Sequence, residues 1–133
     1  MSIRPVDVLL RVGISAALVV GGYFHADLYG RGYRYIHFIG PSFLVQAAVS
    51  FALAVLVLVG PWTMRLAAAG LAGGSLVAFA LSRTTGIAGF SEIGWDPAPQ
   101  AALSVAAEVI TVILCAASLL LYRREAVRYE ARS

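Results

Sequence analysis

The most constraining feature of the chain is its last long apolar stretch, residues 100–122, which reads QAALSVAAEVITVILCAASLLLY. A helix needs about 20 predominantly apolar residues to cross the hydrocarbon core of a bilayer, and this stretch has that length. It contains one carboxylate, Glu108, well inside the apolar run. Because lipid cannot solvate a charged side chain, an ionisable residue at that depth indicates contact with protein or with a water-filled cavity. The stretch therefore predicts a transmembrane helix that packs against other helices.

The spacing of polar and small residues on this stretch predicts which face meets those helices. Alternating steps of four and three residues place them on one side of a helix. In membranes such side chains are typical of helix–helix contacts, because lipid tails are as apolar as leucine. Glu108 is therefore predicted to point into a bundle, on a face formed by Ser104, Glu108, Thr111, Cys115, Ser118 and Tyr122.

Three further apolar segments precede this one, at about residues 6–29, 38–59 and 62–82. The chain is 60% hydrophobic and 13% charged, whereas a soluble domain is about 45–50% apolar and about 25% charged. We therefore predict an all-α, polytopic membrane protein with a single domain over residues 1–133, without a soluble domain. Short connections make successive helices antiparallel, which gives an up-down bundle of four transmembrane helices followed by a charged tail at 123–133.

The arginines predict how the bundle is oriented. With both termini inside, the inner side carries Arg4, Arg11, Arg65, Arg123, Arg124, Arg128 and Arg132, and the outer side carries Arg31, Arg34 and Arg83. Positive residues collect on the cytoplasmic side of membrane proteins, so we expect a multi-pass protein of the cell membrane with both termini cytoplasmic. Because the arginines flank apolar segments, the net charge of +3 does not indicate nucleic-acid binding.

Three polar side chains fall in the outer halves of the predicted spans: His25, Gln46 and Glu108. Gln46 and Glu108 would each lie about 12 Å below the start of their helix, at 1.5 Å per residue, and His25 about one turn higher than Glu108. One interpretation is that Glu108 is a hydrogen-bonded carboxyl that ties helices together. The other is that the three side chains form a ligand-binding or proton-handling pocket.

Metal binding and catalysis have less support. His25, His37, Glu92 and Asp96 are all expected on the outer side and have the side-chain types of metal ligands, but only the fold could bring them together. The single cysteine, Cys115, allows neither an intrachain disulfide nor a cysteine-based metal motif. No GxSxG motif is present, and no Ser or Cys has an evident base nearby in the sequence. Catalysis is therefore not predicted, and we expect no bound cofactor.

A resemblance to a known family rests on short motifs in the first and fourth spans. Leu10-Arg11, Gly21-Gly22 and His25 on the first span, with Glu108 on the fourth, resemble the DoxX-like superfamily of small bacterial four-span proteins. The segment SRTTGIAGF…GWDP is similar to small actinobacterial membrane proteins. The resemblance implies a bacterial inner-membrane protein, in some cases associated with redox or quinone partners. It identifies no catalytic residue in this chain.

Two functions remain open from the sequence. The first is a non-enzymatic subunit or accessory component of a membrane complex. It would contact other subunits or further copies of itself through small residues on the third span, Gly70, Gly73 and Gly74, because such residues let another helix approach closely. The alternative is a redox- or ligand-binding membrane protein that holds a quinone, haem or metal in the outer polar pocket.

Substitutions of Glu108 distinguish its structural role from a functional one. If Glu108 only ties helices together, Glu108→Gln keeps its shape and hydrogen bonds and leaves the stability in detergent nearly unchanged. Glu108→Leu leaves its partners unpaired and lowers the free energy of unfolding by about 1–3 kcal/mol. Thermal unfolding of both variants measures this difference. A Glu108→Gln protein that folds normally but has lost its activity would defeat the structural interpretation.

Overall fold

The structure, a computed structural model, describes residues 4–133. These residues form four long helices: α1 (Pro5–Gly30), α2 (Ile39–Val59), α3 (Thr63–Ser82) and α4 (Gln100–Glu130). A short 3-10 turn, Tyr33–Tyr35, lies between α1 and α2. No strand occurs within the described residues, and all four helices are long and apolar enough to cross a membrane. The predicted all-α, four-span fold is confirmed.

The predicted spans agree with the helices except at the C-terminal end. The charged tail predicted at 123–133 is helical over most of its length, because α4 continues to Glu130. Its sequence, RREAVRYE, contains mostly Arg, Glu and Ala, which have high helix propensity. The helix therefore extends beyond the apolar part of the bundle.

Polar contacts between helix ends establish the up-down arrangement. The Arg11 guanidinium, near the start of α1, donates a hydrogen bond to the carbonyl of Val57 at the end of α2, at 2.8 Å. Arg65, near the start of α3, donates to Ser118 in the last part of α4's buried face. Among neighbouring pairs, α1 packs most closely against α2 and α4, and the pair α2–α3 is the most loosely packed.

The apolar core lies in the half of the bundle nearer the termini. Its buried residues come from all four helices: Ile14, Leu18, Leu53, Ala54, Val57, Ala68 and Cys115. Large apolar side chains on the outer surface remain exposed, for example Leu9, Val55 and Ile113 at 70%, 62% and 59%. Exposure of this kind suits a bundle that is surrounded by lipid tails.

The polar face predicted for α4 is buried over most of its length. Ser104, Glu108, Thr111, Cys115 and Ser118 are all buried. Tyr122 is the exception: it is half exposed and stacks on Trp62, with ring centroids 5.9 Å apart. Trp62 is at the turn between α2 and α3, so Tyr122 lies at the end of the bundle, where less protein remains to cover it.

Two helical glycines test how tightly the bundle is packed. A Cβ added at Gly40 would lie 2.8 Å from the backbone of Arg34 and Tyr33, whereas one added at Gly70 would meet nothing within 4 Å. We expect Gly40→Ala to lower the free energy of unfolding by about 1–3 kcal/mol, because a backbone contact yields less readily than a side chain. Gly70→Ala should not destabilise the protein and gains up to about 1 kcal/mol of helix propensity. Thermal unfolding in detergent measures both changes. Equal effects of the two substitutions would contradict the tight packing at Gly40 and the open space at Gly70.

Candidate functional site

A cavity of about 160 Å³ lies between the helices at the end of the bundle opposite the termini. Each helix contributes to it: His25 from α1, Phe43 from α2, Ser75 from α3 and Glu108 from α4. Residues of the α1–α2 connection (31–38) and of the α3–α4 connection (83–99) line its outer side. A cavity of about 150 Å³ in a protein interior holds a benzene molecule, so this one has space for a single ring.

The floor of the cavity is a cluster of polar side chains from three helices. Ser75 donates a hydrogen bond from Oγ to Glu108 Oε1 at 2.5 Å, and Ser104 donates to the same oxygen at 3.2 Å. His25 Nε2 lies 3.8 Å from that oxygen. His25 and Glu108 are only 8% and 5% exposed. The cluster therefore connects α1, α3 and α4 at membrane depth and gives the buried carboxyl its partners.

The hydrogen bonds of His25 define what the floor offers to a ligand. His25 Nδ1 lies 2.9 Å from the carbonyl oxygen of Gly21, and since a carbonyl only accepts, Nδ1 carries the proton. In the neutral imidazole Nε2 is then an acceptor, and it faces Ser75 Oγ at 3.5 Å. Ser75 has one hydroxyl proton, which serves either Glu108 or His25 but not both. The floor is therefore rich in acceptors and suits a ligand that supplies a donor.

Aromatic side chains form the walls. The Phe43 ring centroid is 4.9 Å from that of His25 and 4.9 Å from that of Tyr33. Phe90 packs edge-on against Tyr33 at 5.9 Å, and Phe79 also lines the cavity. Aromatic rings pack favourably against other rings in offset or edge-to-face geometry. The walls therefore suit a flat, apolar group.

Ionic and hydrogen-bonded contacts join the two connections on the outer side of the cavity. Glu92 accepts a hydrogen bond from the Tyr33 hydroxyl and an ion-pair contact from Arg83 at 2.9 Å. Arg83 also donates to the carbonyl oxygen of Gly94 and lies over the Phe79 ring, 3.9 Å from its centroid. Burial and the neighbouring Glu92 carboxylate raise the pKa of the Tyr33 phenol above its ordinary value. Tyr33 therefore remains a neutral donor that fastens the 83–99 connection to the 31–38 connection.

The structure brings together two of the three residues in the predicted polar pocket. His25 and Glu108 share the floor, but Gln46 does not line this cavity. It lines a separate void of about 10 Å³, together with Gly21, Ser50 and Glu108. Gln46 lies about one helical turn beyond Phe43, and Phe43 takes the position on α2 that faces the larger cavity.

The four residues considered as metal ligands are not assembled. His37 is exposed and packs on Phe38. Asp96 is also exposed. Glu92 accepts a hydrogen bond from Tyr33 and pairs with Arg83. His25 lies on the floor, among Ser75, Glu108 and the Phe43 ring. Within residues 4–133, no group of three or more His, Cys, Asp or Glu side chains is placed to hold a metal ion. In the described part of the chain, His25, His37, Glu92 and Asp96 therefore have separate contacts and do not form one cluster.

Sequence reasoning missed two elements of the site. Ser75 is the only polar side chain between Arg65 and Ser82 on a span of small and apolar residues. A lone polar residue in such a span indicates a contact with another helix. Tyr33 lies between two other tyrosines, Tyr29 and Tyr35, a pattern that is typical of aromatic residues at a membrane interface. Its partner Glu92 is 59 positions away, and no local pattern indicates a pairing over that distance.

Comparison with known proteins adds no assignment. No protein family, curated protein or solved structure matches the chain. The site is therefore interpreted from its own geometry, and the resemblance to DoxX-like proteins stays a prediction.

Removing the Tyr33 hydroxyl tests its hydrogen bond to Glu92, which joins the two connections. Tyr33→Phe should lower the free energy of unfolding by about 0.5–1.5 kcal/mol at neutral pH, the net value of one hydrogen bond. Because the folded-state pKa of Tyr33 is raised, this contribution is present below the unfolded pKa of about 10 and declines as the pH rises further. The difference between wild type and variant should therefore shrink in alkaline solution. Tyr129→Phe, on the exposed end of α4, is the control, and a difference independent of pH would contradict the assignment.

Proposed function

We propose that the protein binds a small, mainly apolar molecule with a hydroxyl or similar hydrogen-bonding head group inside the membrane. The observation that carries this proposal is the cavity itself, with aromatic walls and a floor on which His25, Ser75 and Glu108 converge from three helices. Ligand sites are typically apolar clefts with a few polar groups that fix orientation. The head group would donate to the acceptors on the floor, and the ring would pack against Phe43 and Phe79.

The volume of the cavity selects among the ligands that the sequence left open. A haem macrocycle is several times larger than one ring and does not fit a cavity of about 160 Å³. A metal ion lacks a group of three suitable side chains within residues 4–133. A single-ring head group of the phenol or quinol class matches both the volume and the acceptor-rich floor, because its hydroxyl supplies the donor. A quinol, the reduced form of a quinone, also agrees with the quinone partners that the DoxX-like resemblance implies.

The loose packing of α2 against α3 supports a route from the lipid. These two helices have the least contact of the neighbouring pairs, and both line the cavity, through Ser42 and Phe43 on α2 and Ala78 and Phe79 on α3. An apolar molecule dissolved in the membrane could enter between them. We place the protein in a bacterial inner membrane with both termini cytoplasmic, on the basis of the resemblance and the arginine distribution.

A second candidate, a non-enzymatic subunit of a membrane complex, is supported by the open face of α3. A Cβ added at Gly70, Gly73 or Gly74 would meet nothing within 4 Å, so no helix of this chain covers them. Small residues on a lipid-facing helix surface are typical of helix–helix contacts. Co-purification with another polypeptide at fixed stoichiometry, lost in Gly74→Leu, would support this candidate.

Binding of p-cresol and toluene to the purified protein tests the first proposal. Both molecules have one ring and one methyl group, and only p-cresol has a hydroxyl. We expect p-cresol to bind about three- to tenfold more tightly, which corresponds to one net hydrogen bond of about 0.5–1.5 kcal/mol. Ligand-detected NMR in detergent measures both affinities.

Two phenylalanine substitutions on α3 provide a matched pair for this experiment. Ala78→Phe places a ring at the cavity and should abolish binding, whereas Ala67→Phe, on an exposed position of the same helix that does not line the cavity, should leave it intact. Equal affinity of p-cresol for both variants would overturn the proposal. Mass spectrometry and an ultraviolet–visible spectrum of the organic extract from freshly purified protein would identify a ligand carried from the cell.

A further inference from the structure

A second cavity, of about 550 Å³, lies at the end of the bundle that carries both termini. It is formed by the starts of α1 and α3, the turn between α2 and α3, and α4 from Ser118 to Glu125. Three arginines and two acids line it: Arg4, Arg11, Arg65, Asp7 and Glu125. Its ionised side chains therefore carry a net charge of +1.

Arg65 is the buried member of this group, with only 3% of its surface exposed. Its guanidinium donates to Asp7 Oδ1 at 2.7 Å and to Ser118. Its Nε–H has no hydrogen-bond partner among the described residues, so the side chain has one donor more than the protein uses. A buried arginine at a helix end inside a membrane requires anionic or polar partners.

The single carboxylate of Asp7 is divided between two guanidinium groups. Its second oxygen pairs with Arg11 Nε at 2.8 Å, while Arg11 Nη1 donates to the carbonyl oxygens of Val57 and Gly60. Arg4 pairs with Glu125 at 2.6 Å at the rim. One positive charge thus remains without an acid, beside a cavity large enough for a bound group.

The charge of the whole molecule is concentrated at the same end. The terminal end has seven arginines and three acids, a net charge of +4. The opposite end has three arginines and three acids, a net charge of zero when the buried Glu108 is left out. The two sets are Arg4, Arg11, Arg65, Arg123, Arg124, Arg128, Arg132, Asp7, Glu125 and Glu130, against Arg31, Arg34, Arg83, Asp27, Glu92 and Asp96. An anion is therefore attracted to the end that contains the larger cavity.

Apolar and aromatic side chains complete the lining. Trp62 and Tyr122 stack beside the arginines, and Val6, Leu10 and Leu121 also line the cavity. Trp and Tyr are enriched at the boundary between lipid tails and head groups. The occupant that matches this lining has a negative head and an apolar body.

We infer that this cavity binds the phosphate of an anionic phospholipid head group. Arginine presents its donors in a planar fork that matches phosphate oxygens, and basic pockets at the ends of transmembrane helices recognise anionic lipids. The apolar lining and the position at the membrane boundary favour a lipid over free phosphate. This inference is independent of the proposed function, because the two cavities lie at opposite ends of the bundle.

Thermal unfolding in neutral phosphatidylcholine bilayers tests the inference. Addition of phosphatidylglycerol should raise the Tm in a saturable way, whereas the same concentration of inorganic phosphate in phosphatidylcholine alone should not. Stabilisation by inorganic phosphate to the same extent would assign the site to a free anion and overturn the inference that a phospholipid binds there. The absence of any shift with phosphatidylglycerol would also overturn it.

Two arginine substitutions separate a built site from diffuse attraction. Arg4 lines the cavity, and Arg128 is exposed on the α4 extension at the same end without lining it. Arg4→Gln should weaken the apparent affinity for phosphatidylglycerol about fivefold, from a contribution of about 1 kcal/mol per basic residue, and Arg128→Gln should change it less than twofold. Both residues are on the surface, so both variants should fold. Equal losses in the two variants would show general attraction to an anionic surface and overturn the site.

Discussion

The structure depends on the inability of lipid to solvate charge. The Glu108 carboxyl and the Arg65 guanidinium lie inside the bundle, and each is surrounded by side chains from other helices. Glu108 connects α4 to α1 and α3, and Arg65 connects α3 to α1 and α4. A buried ionic group with its partners removed costs several kcal/mol. These contacts therefore define which helices are neighbours more strictly than apolar packing does, since the packing surfaces themselves are as apolar as the lipid.

The two buried groups divide the bundle into three layers. The apolar core around Ile14, Val57 and Cys115 lies nearer the terminal end, between the two polar clusters. Beyond it on one side is the aromatic cavity with Glu108 on its floor, and on the other is the arginine-lined cavity. The first suits a neutral ring with a donor, and the second suits an anion. Their different electrostatics give the molecule a neutral end and a basic end.

Much of this arrangement could be predicted from the chain. The period of the polar face on α4 was sufficient to predict that Glu108 points inward, because alternation of three and four residues is a local property of one helix. The same reasoning does not give the depth at which Gln46 lies. Helical periodicity gives the face of a residue but not its depth relative to cavities, which depends on how α2 is shifted against its neighbours. The contact of Tyr33 with Glu92 was inaccessible for a related reason, since it joins two connections whose paths are set by tertiary packing.

The sequence by itself determined that the chain is a membrane bundle of four helices, because the length and apolarity of each segment follow directly from its residues. It also determined that Glu108 is turned toward protein, since lipid offers no alternative. Only the tertiary structure decided that Ser75 and His25 are its partners, that Gln46 faces a different void, and that Arg65 is buried beside Asp7. Those contacts join helices far apart in sequence, so they arise from the relative positions of whole helices, which no single segment encodes.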